Sequence, residues 1–329
     1  MHTESARTQV LALAAAFATG ALLALQSRLN GRLAETVGGF PAAWVSFGSG
    51  LLILSVLLVR AEHRSRLGRV WVAVRSGRLR WWQVLGGVSG GLLVGTQTYA
   101  VPLVGVAAFL IATIGGQALS ALLVDRQGLG PAPAVPLSGV RIAAAITAVA
   151  GVAIAATAGG GSGGRATLGL VPVLLAFGVG MLLAVQQAFN GRVNTVTGAP
   201  TATAWLNFAT GSATLVLVGT VPVALSGGPE RWDAPAWAWW GGLCGVVFIA
   251  LTAWAVQHLG VLLFGLVTIT SQMATALVLD LGNPATRDQV GAQMLTGVAI
   301  TVLAAGAAAA AAQSDRRSAR RSAVPASPA

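Results

Sequence analysis

Ten runs of apolar residues follow one another along the chain, and most are about as long as a helix that crosses a bilayer. Proline marks several junctions: Pro41 and Pro200 open the second and seventh runs, and Pro102 separates the third from the fourth. Because backbone polar groups in hydrocarbon must be hydrogen-bonded within the protein, such runs predict transmembrane α-helices. The predicted spans cover residues 9–29, 41–59, 82–101, 103–124, 138–158, 168–189, 200–225, 236–257, 259–281 and 289–312.

A polar motif, Gln-x-x-x-Asn-Gly-Arg, closes both the first and the sixth run, as Gln26 to Arg32 and Gln186 to Arg192. The two copies are 160 residues apart. Within each copy the two amide residues are four positions apart and therefore share one face of a helix. The sequence predicts that these amides form one shared site between two halves, with the members Gln26, Asn30, Gln186 and Asn190.

The repeat extends well beyond this motif. Trp44 and Ser46 match Trp205 and Asn207 at a separation of 161 residues. Further positions match at a constant separation of 155, among them Gly86, Gly105, Gln117 and Asp125 with Gly241, Gly260, Gln272 and Asp280. The pattern indicates a tandem duplication of a five-helix unit. Because five is an odd number, the second unit is predicted to be inverted in the membrane.

The predicted fold is therefore an all-α integral membrane protein with ten transmembrane helices arranged as two inverted five-helix repeats. The first repeat covers residues 1–158, and a glycine-rich linker covers 159–167. The second repeat covers 168–312, and a basic tail at 313–329 is predicted to be disordered and cytoplasmic.

Composition and charge agree with this placement. The chain is 55% hydrophobic and only 9% charged, with a mean hydropathy of +0.76. On the predicted topology, 15 arginines lie on the side that holds both termini and 5 lie on the other. The positive-inside rule then places both termini on the cytoplasmic side of a bacterial plasma membrane, together with the seven-arginine loop 60–80. The net charge of +11 needs no nucleic-acid partner, because the arginines lie between apolar runs and in the tail.

Two inverted halves, each with Gln-x-x-x-Asn-Gly-Arg in its first helix and Gln-x7-Asp in its fourth, resemble the drug/metabolite transporter superfamily. Within it the chain is similar to the YdcZ-type inner-membrane exporters, in a fused form, over Leu11 to Ala312. The resemblance implies a secondary transporter whose central pathway is lined mainly by the first four helices of each half. Small multidrug transporters of this superfamily keep a glutamate in the first helix. Neither first helix here has one, so the resemblance does not imply glutamate-centred exchange of cations for protons.

The side-chain amides are the main candidates for substrate contact. The four motif amides either contact substrate or hydrogen-bond a neighbouring helix, and the sequence leaves both readings open. Gln117 and Gln272 lie deeper in their spans and are predicted to line a cavity near the membrane midplane. Trp44, Trp205 and Asn207 are further candidates for substrate contact, although tryptophan near a helix end is often an interfacial anchor.

Two acids occupy equivalent positions in the repeats, Asp125 and Asp280, and are candidates for proton coupling. The alternative is that each caps a neighbouring helix or pairs with a nearby arginine, with Arg141 as the partner of Asp125. No pair among the nine acids and three histidines has metal-ligand spacing, and no phosphate-binding loop occurs. The sequence therefore predicts no enzyme, no cofactor and no metal site.

The function predicted is secondary active export of a small organic metabolite or drug across the plasma membrane, by alternating access around a neutral, amide-lined cavity. The expected partners are a small-molecule substrate and membrane lipids, and the question of proton coupling stays open. The alternatives are a passive channel and a non-transporting scaffold or regulatory subunit that uses the basic loop 60–80.

Overall fold

The computed structural model describes residues 2–130, 134, 137–158, 165–229 and 231–322, and within these ranges all regular secondary structure is helical. Three short 3-10 segments, Trp81–Leu85, Ala236–Trp240 and Arg287–Gln289, connect longer helices. The α-helices are α1 (His2–Val37), α2 (Gly39–Leu57), α3 (Ala61–Arg75), α4 (Gly87–Arg126), α5 (Gly139–Ala158), α6 (Arg165–Thr197), α7 (Pro200–Leu225), α8 (Gly241–Leu281) and α9 (Ala292–Ser322).

Many of these helices are apolar enough for a membrane interior. Among the described residues, five stretches have both the length and the apolar composition to cross a bilayer: Arg7–Val37, Gly39–Leu57, Trp81–Arg126, Leu170–Thr197 and Pro200–Leu225. Shorter apolar helices cover Gly139–Ala155, Ala236–Thr252, Val267–Leu281 and Ala292–Ala307. The predicted all-helical membrane protein is therefore confirmed at this level.

The predicted third and fourth spans form one helix, α4, and this helix contains a break. Gly105 has φ +81° and ψ 170°, a conformation outside the helical region that favours glycine. It follows three residues after Pro102, whose missing N–H already weakens the helical hydrogen bonding. The chain resumes as a helix at Val106, so the first N–H groups of the resumed segment need acceptors from elsewhere.

The Gln-x-x-x-Asn-Gly-Arg motif does not lie at the ends of its helices, so the predicted end of the first helix in each half is wrong. α1 continues from the motif to Val37 and α6 continues to Thr197, and each ends at a glycine with positive φ, Gly38 or Gly198. The extra turns are stabilised by packing, since Leu33 and Val37 lie in one buried cluster and Val193 lies in another. The motif amides therefore lie inside long helices, where backbone groups are already paired.

Two further segments are more helical than the sequence predicts. The seven-arginine loop contains the helix α3, which packs on α6 and α7 through Val70 and Ala73. Helix α9 continues to Ser322, into the tail for which disorder is predicted, because the alanine run before it favours helix. Residues 159–164 of the linker and 323–329 of the tail lie outside the described part of the chain.

The helices of the two halves pack reciprocally. α1 packs along α8 and its repeat counterpart α6 packs along α4, while α2 packs on α7 and α5 on α9. At the α2–α7 crossing, a methyl group built on Gly50 would lie 2.2 Å from the ring of Phe208. The counterpart glycine, Gly211, has the same relation to the ring of Phe47, also at 2.2 Å. Such exchange of contacts is what a twofold relation between two units produces.

The largest buried cluster surrounds the second part of α4. Phe109 and Ile111 are almost fully buried there, and residues of α5, α6, α8 and α9 complete the cluster. At the α4–α6 crossing, a methyl group on Gly180 would lie 2.2 Å from the carbonyl oxygen of Thr113. At the equivalent α1–α8 crossing, a methyl group on Gly20 would lie 2.2 Å from the carbonyl oxygen of Thr268. Glycine allows the helix backbones to approach closely at both places.

We expect Gly180→Ala to destabilise the protein by about 1–3 kcal/mol, because the added methyl group must push α6 away from the α4 backbone. Gly178→Ala is the matched control on the same helix, since nothing lies within 4 Å of a methyl group at that position. The control should be neutral or slightly stabilising, because alanine favours helix more than glycine does. Thermal unfolding of the two variants in detergent tests this, and equal midpoints would contradict the close crossing.

Candidate functional site

A first amide cluster lies between α1 and α4 and consists of Ser27, Asn30 and Gln97. Asn30 Nδ2 donates a hydrogen bond to Gln97 Oε1 at 2.7 Å, and Gln97 Nε2 donates to Ser27 Oγ at 2.5 Å. Ser27 Oγ in turn donates to the backbone carbonyl oxygen of Leu23 at 3.0 Å. Asn30 is 0% exposed, so this chain of hydrogen bonds is sealed from solvent.

The donor and acceptor roles in this series of hydrogen bonds follow from the backbone carbonyl at one end of it. A backbone carbonyl only accepts, so Ser27 must donate to Leu23 and accept from Gln97, and Gln97 must accept from Asn30. The series of hydrogen bonds ends at Asn30 Oδ1, which is buried and has no hydrogen-bond partner among the described residues. This oxygen points at the backbone of Gly241, where a methyl group would lie only 2.1 Å away. A glycine Cα–H is the weak donor that such a close approach allows.

A second amide cluster consists of Gln186, Asn190 and Asn207, on α6 and α7. Asn207 Nδ2 donates to the carbonyl oxygen of Thr203 and to Asn190 Oδ1, both at 2.9 Å. Its own Oδ1 accepts from Gln186 Nε2 at 3.1 Å. The Thr203 carbonyl can only accept, so it fixes which groups donate and which accept in this cluster. This series of hydrogen bonds also ends at a buried acceptor that has no partner among the described residues, Gln186 Oε1.

The two clusters are repeat counterparts that use different helices for the third polar group. The first cluster takes an amide from α4, Gln97, whose repeat counterpart in α8 is Thr252. The second takes an amide from α7, Asn207, whose counterpart in α2 is Ser46. The hydroxyls of Ser46 and Thr252 are too short to replace these amides, and both are buried without a described hydrogen-bond partner. The sequence prediction does not include Gln97, an amide within an apolar run.

Gln26 and Gln186 lie beside a central aromatic pair. The rings of Phe47 and Phe208 have centroids 5.1 Å apart and are tilted by 43°. A methyl group on Gly245 would lie 3.0 Å from Gln26 Nε2 and 3.2 Å from the Phe208 ring. The equivalent methyl group on Gly90 would lie 3.1 Å from Gln186 Nε2 and 3.5 Å from the Phe47 ring. The structure thus brings motif amides from both halves to one aromatic contact between the halves.

The remaining substrate candidates lie outside these clusters. Trp44 Nε1 donates to the carbonyl oxygen of Leu215 at 2.8 Å, and Trp205 Nε1 donates to Ser55 Oγ at 2.9 Å. Both tryptophans therefore connect α2 with α7 through hydrogen bonds. Gln117 and Gln272 are half-buried on α4 and α8 and take part in neither amide cluster.

Asp280 provides the acceptors that the break in α4 requires. Its Oδ1 accepts from the N–H of Val106 at 2.9 Å, and its Oδ2 accepts from the N–H of Ala107 at 2.7 Å. Thr286 Oγ1 also lies 3.3 Å from Oδ1, and the side chain of Asp280 is buried. A carboxylate at a helix N-terminus is favourable because it meets unpaired N–H groups and the positive end of the helix dipole. A methyl group on Gly105 would lie 2.9 Å from this carboxylate, so glycine is needed for space as well as for φ.

Asp125 pairs with Arg141, as the sequence predicts. Arg141 Nη2 and Asp125 Oδ2 are 2.5 Å apart, and the arginine side chain is only 3% exposed. This ion pair connects the end of α4 with the start of α5. Each of the two repeat-related acids therefore has a structural partner, and their role in proton coupling stays a prediction. Among the described residues, no group of three histidine, cysteine, aspartate or glutamate side chains is arranged to bind a metal ion.

Comparison with known proteins gives one match. A family model described as "Putative inner membrane exporter, YdcZ" matches residues 11–154 and 171–308. No curated protein and no solved structure matches the chain. The matched segments agree with the two halves that the amide motif marks, and together they cover most of the chain.

We expect Asp280→Ala to lower the free energy of unfolding by at least about 2 kcal/mol, because two buried N–H groups lose charged acceptors. Asp280→Asn should lower the free energy of unfolding by less, since its single amide oxygen still accepts one of the two hydrogen bonds. Asp288→Ala is the control, because that side chain lies in the short 3-10 segment after α8 and is 89% exposed. Chemical denaturation in detergent measures the series, and an Asp280→Ala variant as stable as the control would contradict the capping role.

Proposed function

The chain belongs to the YdcZ family of inner membrane exporters, and we propose that it is a secondary active transporter that exports a small organic solute by alternating access. The observation that carries this proposal is the pair of repeat-related amide clusters, each facing a glycine of the other half, together with Gln26 and Gln186 beside the aromatic contact of Phe47 and Phe208. Substrate sites of carriers built from inverted repeats lie at such an interface.

We propose ten transmembrane spans in two inverted halves, 1–158 and 168–312, joined by 159–167. The 40 residues of α4 would form a helix about 60 Å long, about twice the thickness of the hydrocarbon core, so the break at Gly105 suits two successive spans. Two matches to one family model and the reciprocal helix contacts support the duplication. The arginine distribution supports cytoplasmic termini.

In this mechanism the two halves rock about their shared interface. Two similar units related by a twofold axis in the membrane plane have two states of similar energy, one open to each side. The described conformation is closed at the amide clusters, because Asn30 Oδ1 and Gln186 Oε1 are both buried. Opening would separate these oxygens from the glycine backbones of α8 and α4 and expose them to a ligand.

The two clusters suggest which groups the cargo carries. Each series of hydrogen bonds ends in an acceptor oxygen that has no partner among the described residues. A ligand that satisfies both oxygens must therefore bring donors such as hydroxyl or amino groups. Neither cluster contains a charged side chain, which favours a neutral group over an isolated charge at this position. We propose that Gln117 and Gln272 line the remainder of the pathway.

Asp280 offers a route by which a proton could couple to movement. As a carboxylate it accepts from two backbone N–H groups at once, whereas a protonated carboxyl has one oxygen that carries a hydrogen and accepts poorly. Protonation would therefore weaken the contact between the end of α8 and the break in α4. We include Asp125 in the same role; the contact that its protonation would weaken is the ion pair with Arg141.

The inverted topology predicts that two exposed serines, Ser76 after α3 and Ser226 after α7, face opposite sides of the membrane. We expect Ser76→Cys to react with a membrane-impermeant maleimide only after cells are opened, and Ser226→Cys to react in intact cells. The free Cys244 is buried and is replaced by alanine in the background. Labelling of both positions from one side would rule out inverted halves.

Transport itself is tested with the purified protein in proteoliposomes, using a panel of polyols, amines and neutral drugs. We expect Gln186→Met to reduce transport at least about tenfold, because loss of one buried polar contact weakens binding by about 1.5 kcal/mol or more. Gln187→Met is the matched control, since Gln187 is the neighbouring exposed residue on α6. If both variants retain full transport, the amide site is excluded. If the unaltered protein transports no solute of the panel, a scaffold or regulatory protein is favoured instead.

A further inference from the structure

A cleft of about 340 Å³ lies between α3 and the end of α6. α3 belongs to the first half and α6 to the second, so the two halves form this cleft together. It is separate from the amide clusters and plays no part in the proposed transport path. Its lining residues are Ser65, Gly68, Arg69, Val72, Arg78, Val196 and Thr197.

In the described structure, the two arginines that line the cleft form no ion pair with an acidic side chain. Of the seven arginines in residues 60–80, Arg66 alone lies within ion-pair distance of a carboxylate of the described residues, that of Glu62. In the cleft, Arg69 Nη1 donates to the carbonyl oxygen of Thr197 at 3.3 Å, and Arg78 Nε donates to Ser76 Oγ at 3.3 Å. A guanidinium has five N–H donors, so each arginine keeps several for a ligand. Such forks match the oxygen atoms of a phosphate group.

The outer face of α3 has the character of a helix at a membrane surface. Trp71 is 59% exposed although it is apolar. Arg64 and Arg75 lie on the same side of the helix as Trp71, and the Arg75 guanidinium lies 4.7 Å from the centre of the Trp71 ring. Exposed tryptophan together with arginine is typical of the headgroup region, where an apolar body and a charge are both accommodated.

The connections of α3 support the same location. α3 lies between the apolar helices α2 and α4, at the point where the chain leaves and re-enters the apolar region. The corresponding connection in the second half, between α7 and α8, has Arg231 as its single arginine, and this residue pairs with Asp233. A basic cleft of this kind therefore has no counterpart in the described part of that connection.

We propose that the cleft binds the phosphate headgroup of an anionic phospholipid, with Arg69 and Arg78 contacting the phosphate oxygens. Val72 and Val196 supply an apolar wall for the glycerol and the start of the acyl chains. The bound lipid contacts both halves on one side of the molecule. This site depends on the position of α3 at the membrane surface and not on transport of any solute.

The test titrates the full-length protein in neutral detergent with phosphatidylglycerol and with phosphatidylcholine, and reads bound lipid by native mass spectrometry. We expect preferential binding of phosphatidylglycerol. The double variant Arg69→Gln with Arg78→Gln should weaken it about 25-fold, because each basic side chain contributes about fivefold to binding of an anionic surface. Arg78→Gln alone should weaken it about fivefold while leaving the Arg69–Thr197 hydrogen bond in place.

The matched control is Arg64→Gln with Arg75→Gln, which removes the same charge from the outer face of the same helix. We expect it to weaken binding less than about twofold, because neither side chain lines the cleft and a charge that does not contact the phosphate is screened by salt. Thermal unfolding without lipid checks that each variant is folded. Equal binding of the two lipids would overturn the proposal, and so would an equal loss in both double variants. Displacement of the lipid by equimolar inorganic phosphate would overturn it in favour of a soluble anion.

Discussion

Polar groups inside an apolar helix bundle must find their hydrogen-bond partners within the bundle, and this constraint connects the two halves of the protein. The break at Gly105 frees the N–H groups of Val106 and Ala107, and Asp280 of the other half accepts both. Trp44 and Trp205 satisfy their indole N–H groups across the same interface. The halves are thus held together by specific polar contacts in addition to apolar packing, which has little directional preference in a lipid environment.

The same constraint explains how the repeated site has changed since duplication. Asn30 is buried and Asn190 is half-buried. Asn30 is hydrogen-bonded to an amide of α4, whereas Asn190 is hydrogen-bonded to an amide of α7. The counterpart position that has no amide carries a small hydroxyl residue, Ser46 or Thr252. In both clusters one acceptor oxygen at the end of the hydrogen-bond series has no partner in the part of the protein that the structure describes. This acceptor is therefore a feature that the two halves share although their hydrogen-bonding residues differ.

Sequence periodicity was sufficient for the helical membrane class and for the internal repeat, because apolar runs and the spacing of rare polar residues are visible without a structure. It misplaced the ends of α1 and α6, since Leu33 and Val193 extend these helices by packing that no local pattern reveals. It missed α3, because arginine favours helix as well as loops. Contacts between distant residues, such as Asp280 with Val106, depend on how the halves pack, and repeat matching alone does not supply that information.

The helix α3 makes the two ends of the molecule unequal. It extends from the first half and packs through Val70 and Ala73 on the helices α6 and α7 of the second. Two identical halves would exchange their two conformations with equal populations. Any movement that parts the halves at this end must also break the α3 packing, whereas movement at the other end meets no such obstacle in the described connection. In the proposed alternating-access mechanism, the α3 packing therefore favours closure on the arginine-rich side.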